Sequence, residues 1–331
     1  VYKRQHLLSA IIKGAAGTST LDFAHKYLFG TLGIDASDVY WESDPKGISI
    51  GGWGLWLTPR DLAKIGTLYL NNGLWDGQQA VSADWVRASV EKHIQVQDPL
   101  EPWDLHLGYG WWLHDVGAHA TDGQGVYAAH GQGGQFLFVV PDLDLVVVFC
   151  SGLAESDFVQ PELLIRDYIL PAASSSEPLP GNPEGVALLE ARIQSVEEPE
   201  PQLAPPLPPI AQDLSGETYR LQPNLSDLRD FSLEFLETEV LLKVNLGGNC
   251  VAWSVGLDGV FRVTPTEGFS PVTAVAAKGA WRDDKTFVIH LPYLGALEEL
   301  EVSCRFEGDG VLVRMTSSAG WDEKAQGWLQ D

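Results

Sequence analysis

The stretch Ala129–Gly152 reads AHGQGGQFLFVVPDLDLVVVFCSG. It holds two short apolar runs, Phe136–Val140 and Leu145–Cys150, joined by Pro141-Asp142-Leu143-Asp144. The runs are rich in Val and Phe and have strand length, and the connector carries turn residues. The stretch therefore reads as a β-hairpin buried on both faces, with Cys150 as a small core residue at its end. Directly before it lies Gly131-Gln132-Gly133-Gly134-Gln135. Glycines at such a lip let the backbone turn sharply, or let another molecule come close to backbone N–H groups. The spacing alone leaves both readings open.

Upstream, His6–Lys13 reads as a helix ending near Gly14 and Gly17, with no cap residue before it. The abrupt start suggests a chain whose natural beginning lies further upstream. Ser19 or Thr18 caps a helix over Leu21–Phe29. Gly33 to Ser49 reads as a loop. Thr58-Pro59-Arg60-Asp61 is a helix start, with a capping Thr, a Pro at the first helical position and Asp61 three residues after the cap. Leu62, Ile65, Gly66 and Tyr69 give that helix one buried face. Ser82 caps a further helix to about Val90, Gly108–Leu113 reads as a strand, and Glu162–Ile169 as a closing helix.

Downstream the composition changes. Ala172–Pro180 is rich in Ser and Pro, and Pro199, Pro201, Pro205, Pro206, Pro208 and Pro209 stiffen an acidic stretch. Between them, Glu184–Val196 reads as a short helix that docks on a neighbouring domain. From Leu214 on, nine short strand candidates run from Thr218–Leu221 to Val311–Thr316, separated by turns such as Leu257-Asp258-Gly259. The expected organisation is a first domain over 1–170, a Pro/Glu-rich linker with a short helix over 171–213, and an antiparallel β-barrel or sandwich over 214–331.

The 331 residues carry a net charge of −24, which disfavours nucleic acid and anionic membrane surfaces as partners. No apolar run reaches the length of a membrane span. Cys150, Cys250 and Cys304 are too few and too far apart for a disulfide framework or a thiolate zinc site. His106, His114 and His119 lie near Asp115 and Asp122, yet their spacing matches no metal motif and they read as surface-loop residues. Two S-x-x-K strings, Ser43–Lys46 and Ser89–Lys92, place a lysine one turn from a serine hydroxyl, the spacing a lysine base needs. The first contains Pro45 in a loop and the second ends a helix, so neither is taken as a nucleophile.

Several motifs recur in order: His6–Ile12, Gly51-Gly52-Trp53-Gly54-Leu55, Leu57–Ala63, Tyr69–Gly73, Gly131–Gln135 and Val140–Val146. Together they resemble the β-lactamase-related serine hydrolases, and within them the branch containing 6-aminohexanoate-dimer hydrolase and related esterases. The resemblance implies an α+β class, the C-terminal part of a β-lactamase-like domain (an antiparallel sheet with helices) followed by the all-β domain. It implies hydrolysis of an ester, amide or β-lactam-like bond through an acyl-enzyme, with a small-molecule substrate and neither metal nor organic cofactor. Gly131-Gln132-Gly133 would stand where relatives have K-T-G, with the Gln132 backbone N–H as one oxyanion donor. His130, Gly134 and Trp53 are the substrate-side candidates, His130 being alternatively a strand-edge residue and Trp53 a core residue. Asp61 reads as a helix cap. The family's S-x-x-K helix and catalytic tyrosine have no match in this sequence, Tyr2 being at the wrong offset. The chain alone is therefore expected to be inactive, and an exposed or unusually covered sheet edge beside the hairpin is expected. The alternative is a non-catalytic binding or structural module whose β domain holds a partner. Cellular location stays open.

Overall fold

The computed structural model of the chain describes residues 2–96, 104–115, 125–154, 157–266, 274–318 and 320–330. They form two compact units, Val1–Leu179 and Pro180–Asp331. No helix among the described residues is long and apolar enough to cross a membrane.

In the first unit, α1 spans Tyr2–Ala16, so the helix begins earlier than the sequence pattern indicates, and Gly17 closes it at φ +69°. Helix α2 (Thr20–Ala24) is capped by Ser19 and runs on as a π-helical turn over His25–Phe29. The two-residue ladders β1 (Tyr40–Trp41) with β2 (Leu55–Trp56), and β3 (Leu74–Trp75) with β4 (Gln78–Gln79), flank α3 (Pro59–Leu70). Thr58 caps α3 as expected: its Oγ1 accepts from Asp61 N–H at 3.1 Å and donates to Asp61 Oδ2 at 2.7 Å. Ser82 caps α4 (Ala83–Ser89).

The sheet that follows is a six-stranded antiparallel meander. Its strands are β5 (Ile94–Val96), β6 (Asp104–Leu107), β7 (Trp112–Asp115), β8 (Val126–Gly131), β9 (Gln135–Val140) and β10 (Leu145–Phe149). Strand side chains alternate between faces. Val126, Ala128, Phe136, Phe138 and Val140 face one side and pack on Ile165 and Leu170. These last two belong to the helical run α5 (Gln160–Leu164), a π-helical turn Ile165–Ile169 and α6 (Leu170–Ala172). Leu113, Tyr127, Leu137 and Val139 face the other side, against Leu62, Ile65 and Tyr69 of α3.

The hairpin of β9 and β10 forms with Leu145 opposite Val140 and Phe149 opposite Phe136. Its two strands differ from the expectation of equal burial. Strand β9 is buried on both faces, but β10 is half-buried because it is the edge strand of the sheet. Cys150, expected in the core, lies exposed at the end of that edge. Gly108–Gly110 form a bend rather than the start of a strand. His119 and Asp122 lie outside the described residues.

The second unit opens with α7 (Pro183–Glu197), capped by Asn182. Helix α7 was expected to dock, yet none of its residues is buried. Nor is the proline stretch purely solvated. Gln202 N–H donates to Asp258 C=O at 2.9 Å, and Ala204 packs on the core beside α8 (Ile210–Leu214).

Ten strands then follow. They are β11 (Thr218–Leu221), β12 (Leu228–Phe235), β13 (Glu239–Leu246), β14 (Asn249–Gly256), β15 (Arg262–Pro265), β16 (Ala274–Asp283), β17 (Thr286–Leu294), β18 (Glu299–Glu307), β19 (Gly310–Ser317) and β20 (Asp322–Leu329). Antiparallel pairing runs from β14 through β13, β12, β11, β20, β19, β18 and β17 to β16, and a parallel contact of Gly256 with Lys278 closes the ring. The architecture is a nine-stranded β-barrel, with β15 added outside the ring on β16. Phe231, Trp253, Phe287 and Phe306 fill it.

Candidate active site

The turn between β8 and β9 is Gln132-Gly133-Gly134, with Gly131 paired to Gln135 at its base. Gly133 and Gly134 have φ of +75° and +81°, a region open to glycine and strained for other residues. A Cβ on Gly134 would also lie 2.7 Å from Leu153 Cδ1. The following chain holds the turn in place: Leu153 N–H donates to Gly133 C=O at 2.9 Å, and Gln135 Nε2 donates to Ser151 C=O. Gln132 is exposed, and its N–H has no backbone acceptor among the described residues. A hydrogen-bonded turn whose exposed residue leaves its N–H without a backbone acceptor is compatible with an oxyanion donor.

Trp53 sits on another fixed loop. Glu42 N–H bonds Gly54 C=O at 2.8 Å, and the Trp41 indole donates to Ile50 C=O at 2.8 Å. Gly51 lets that loop touch α1, since a Cβ there would meet Gln5 C=O at 2.3 Å. Trp53 is 58% exposed, which removes the core reading and leaves its ring available to a ligand.

Neither S-x-x-K string has catalytic geometry. Ser89 is fully buried and its hydroxyl donates to Val86 C=O at 2.9 Å. Ser43 forms an isolated bridge with Ser49 outside any helix. Asp61 is engaged within α3, pairing with Lys64 at 2.8 Å.

His130 departs from the sequence reading. It was expected at the substrate or at a strand edge, and its side chain is instead 6% exposed and turned toward the closing helix. Strand alternation puts it on the face of Val126 and Ala128, beside Trp112 and Phe136. There it meets His114, whose exposure is 1%, so His114 is a core residue of β7 and not a loop residue. The two Nε2 atoms lie 3.0 Å apart, and Glu162 Oε1 of α5 is 3.7 Å from His130 Nε2. That last separation is too long for a hydrogen bond. Burial pushes His114 down to about 3, and burial together with His114 pushes His130 well below the usual histidine range. Both imidazoles are therefore neutral at pH 7.

A model of the Beta-lactamase family matches residues 5–168, the stretch that carries the helices, the meander and the glycine turn just described. The first unit is a β-lactamase-family domain. Among solved structures, the chain is similar to a Bacillus anthracis protein assigned as a 6-aminohexanoate-dimer hydrolase. Identity there is 22% with TM-score 0.42, over 53% of this chain and 43% of that one. It is also similar to an octameric penicillin-binding protein homologue from Pyrococcus abyssi, at 14% identity and TM-score 0.36, over 97% of this chain and 63% of that one. A fatty acid-binding protein from Drosophila melanogaster brain matches at 12% identity and TM-score 0.28, over 35% of this chain and 99% of that one. The chain thus spans 43% and 63% of the lengths of the first two proteins.

Proposed function

We propose that the β-lactamase-family domain belongs to a serine hydrolase that cleaves an ester, amide or β-lactam-like bond of a small molecule through an acyl-enzyme. The family match over residues 5–168 carries this reading. In it, the Gln132 N–H stabilises the oxyanion of the tetrahedral intermediate, Gly131, Gly133 and Gly134 hold that donor in place, and Trp53 contacts the acyl group. A single such donor contributes about 10²–10³ in rate. The nucleophilic serine, its lysine and the tyrosine lie in a preceding stretch of the reading frame, so this chain supplies one wall of the site. In this reading the buried His130 is not assigned to the substrate.

A fluorophosphonate probe separates the outcomes. The 331-residue chain stays unlabelled, and the same chain extended by its upstream reading frame is labelled once, at the serine of an S-x-x-K helix. Stoichiometric labelling of any serine in the chain alone would overturn the proposal. An upstream frame without such a helix would favour the binding-module alternative.

A further inference from the structure

The buried group of His114, His130 and Glu162 lies outside the proposed reaction, and its donor atoms all fall within 4.8 Å of one another. We propose that these three side chains form a structural site for a divalent transition metal, zinc foremost, which ties strands β7 and β8 to the closing helix α5. Geometry is the first argument. Ligand atoms about 2.0–2.2 Å from a tetrahedral zinc sit roughly 3.3 Å from each other. The separations here, 3.0 Å between the imidazole nitrogens and 3.7 Å from nitrogen to carboxylate, bracket that value. The remaining pair, His114 and Glu162, lies within the same 4.8 Å.

Donor chemistry is the second argument. Two imidazoles and one carboxylate are a three-ligand set that zinc accepts with a water as its fourth ligand, and the two imidazoles meet through their Nε2 atoms. Burial is the third. Glu162 is 2% exposed and lies three residues before Ile165, which packs in one cluster with Phe136 and Phe138. In so buried a setting a dication is a strong electrostatic partner for a carboxylate. The site also has a structural consequence. His114 and His130 come from adjacent strands and Glu162 from the helix that packs on them, so one ion would cross-link three elements separated by 16 and 32 residues in sequence. No step of the hydrolase reading uses the site, and the two proposals stand or fall separately.

The test uses the full 331-residue chain, stripped with chelator, reloaded with zinc sulfate and passed through gel filtration. The expected result is about one zinc per chain by elemental analysis, with a higher melting temperature than the stripped protein. Glu162→Gln preserves shape and should weaken zinc binding by more than about 100-fold, beyond the effect of outer-shell changes. His114→Ala should do the same. Cobalt(II) provides a readout that does not depend on the variants folding: the wild-type chain should give the intense visible bands of a four-coordinate site. Absence of stoichiometric zinc would overturn the proposal. So would retention of the zinc by Glu162→Gln, or only the weak spectrum of solvated cobalt.

Discussion

Tyr127 is fully buried between Trp111 and α3, and its hydroxyl has no hydrogen-bond partner among the described residues. Burial, with Tyr69 adding to it, holds the phenol above its ordinary pKa, so the group stays neutral but unsatisfied. A buried hydroxyl without a partner costs about 1–3 kcal/mol, while the ring contributes packing. Tyr127→Phe keeps the ring and removes the penalty, so the first unit should gain about 1 kcal/mol. Hydrogen exchange of the β8 and β9 amides is the local measurement, and slowing of about fivefold is expected. Faster exchange would mean that the hydroxyl is satisfied by a group outside the described residues. The glycines at 131, 133 and 134 announced a tight turn, and the positive φ at two of them is why. His130 could not be placed from spacing alone. It precedes the turn by one residue, and whether it faces substrate or core depends on the pairing parity of β8. The partners that fix its role, His114 and Glu162, lie 16 and 32 positions away.

Helix α3 was legible because its start signal is local: Thr58, Pro59 and Asp61 each act within one turn. The Lys64 ammonium and the Thr58 hydroxyl hold Asp61 below the ordinary carboxylate pKa. A carboxylate depressed in the folded state stabilises the fold above its unfolded pKa of about 4, and that contribution is lost as pH falls through the folded value. Asp61→Asn should therefore cost about 1 kcal/mol at pH 7. The gap to wild type should close as pH falls through the lowered folded pKa of Asp61, below which both chains carry a neutral group. Thermal unfolding across that range checks it, and a gap that persists at low pH would assign the effect to packing. Other elements were less legible for physical reasons. Strand β20 points Glu323, Ala325 and Gly327 inward, so it has alternation without an apolar signal. Its inner carboxylate is taken by Leu225 and Ser226 N–H. Strand β10 matches a doubly buried strand in composition, yet it lies at an edge, and composition does not report a missing neighbour. Helix α7 has Leu188, Leu189 and Ile193 at helical spacing and exposes all three, so the pattern revealed the helix and not a partner.

At the scale of the whole chain, the barrel is the part whose autonomy can be argued from its own contacts. Its ring is closed by the Gly256–Lys278 pairing, so all nine ring strands have neighbours on both sides. Closure removes the edges that would otherwise need covering. The core lies within the second unit, and α7 contributes no buried residue to it. The segment from Gln202 to Leu214 does contribute. It bonds Asp258 through Gln202 N–H, packs Ala204 and Ile210 on the core, and buries Leu214. Two truncations should therefore behave differently. Residues 198–331 should fold alone, with a cooperative melt and near-ultraviolet dichroism from the packed Trp253 and Trp281. Residues 216–331 lack Leu214 and its neighbours, which leaves a void in the core. Losing one buried leucine costs about 2–5 kcal/mol, a large share of the stability of a domain this size. The shorter fragment should therefore melt markedly lower or fail to fold. Equal stability of the two fragments would show that α8 rests on the barrel without closing it. Failure of the longer one would show that the barrel depends on the β-lactamase-family unit.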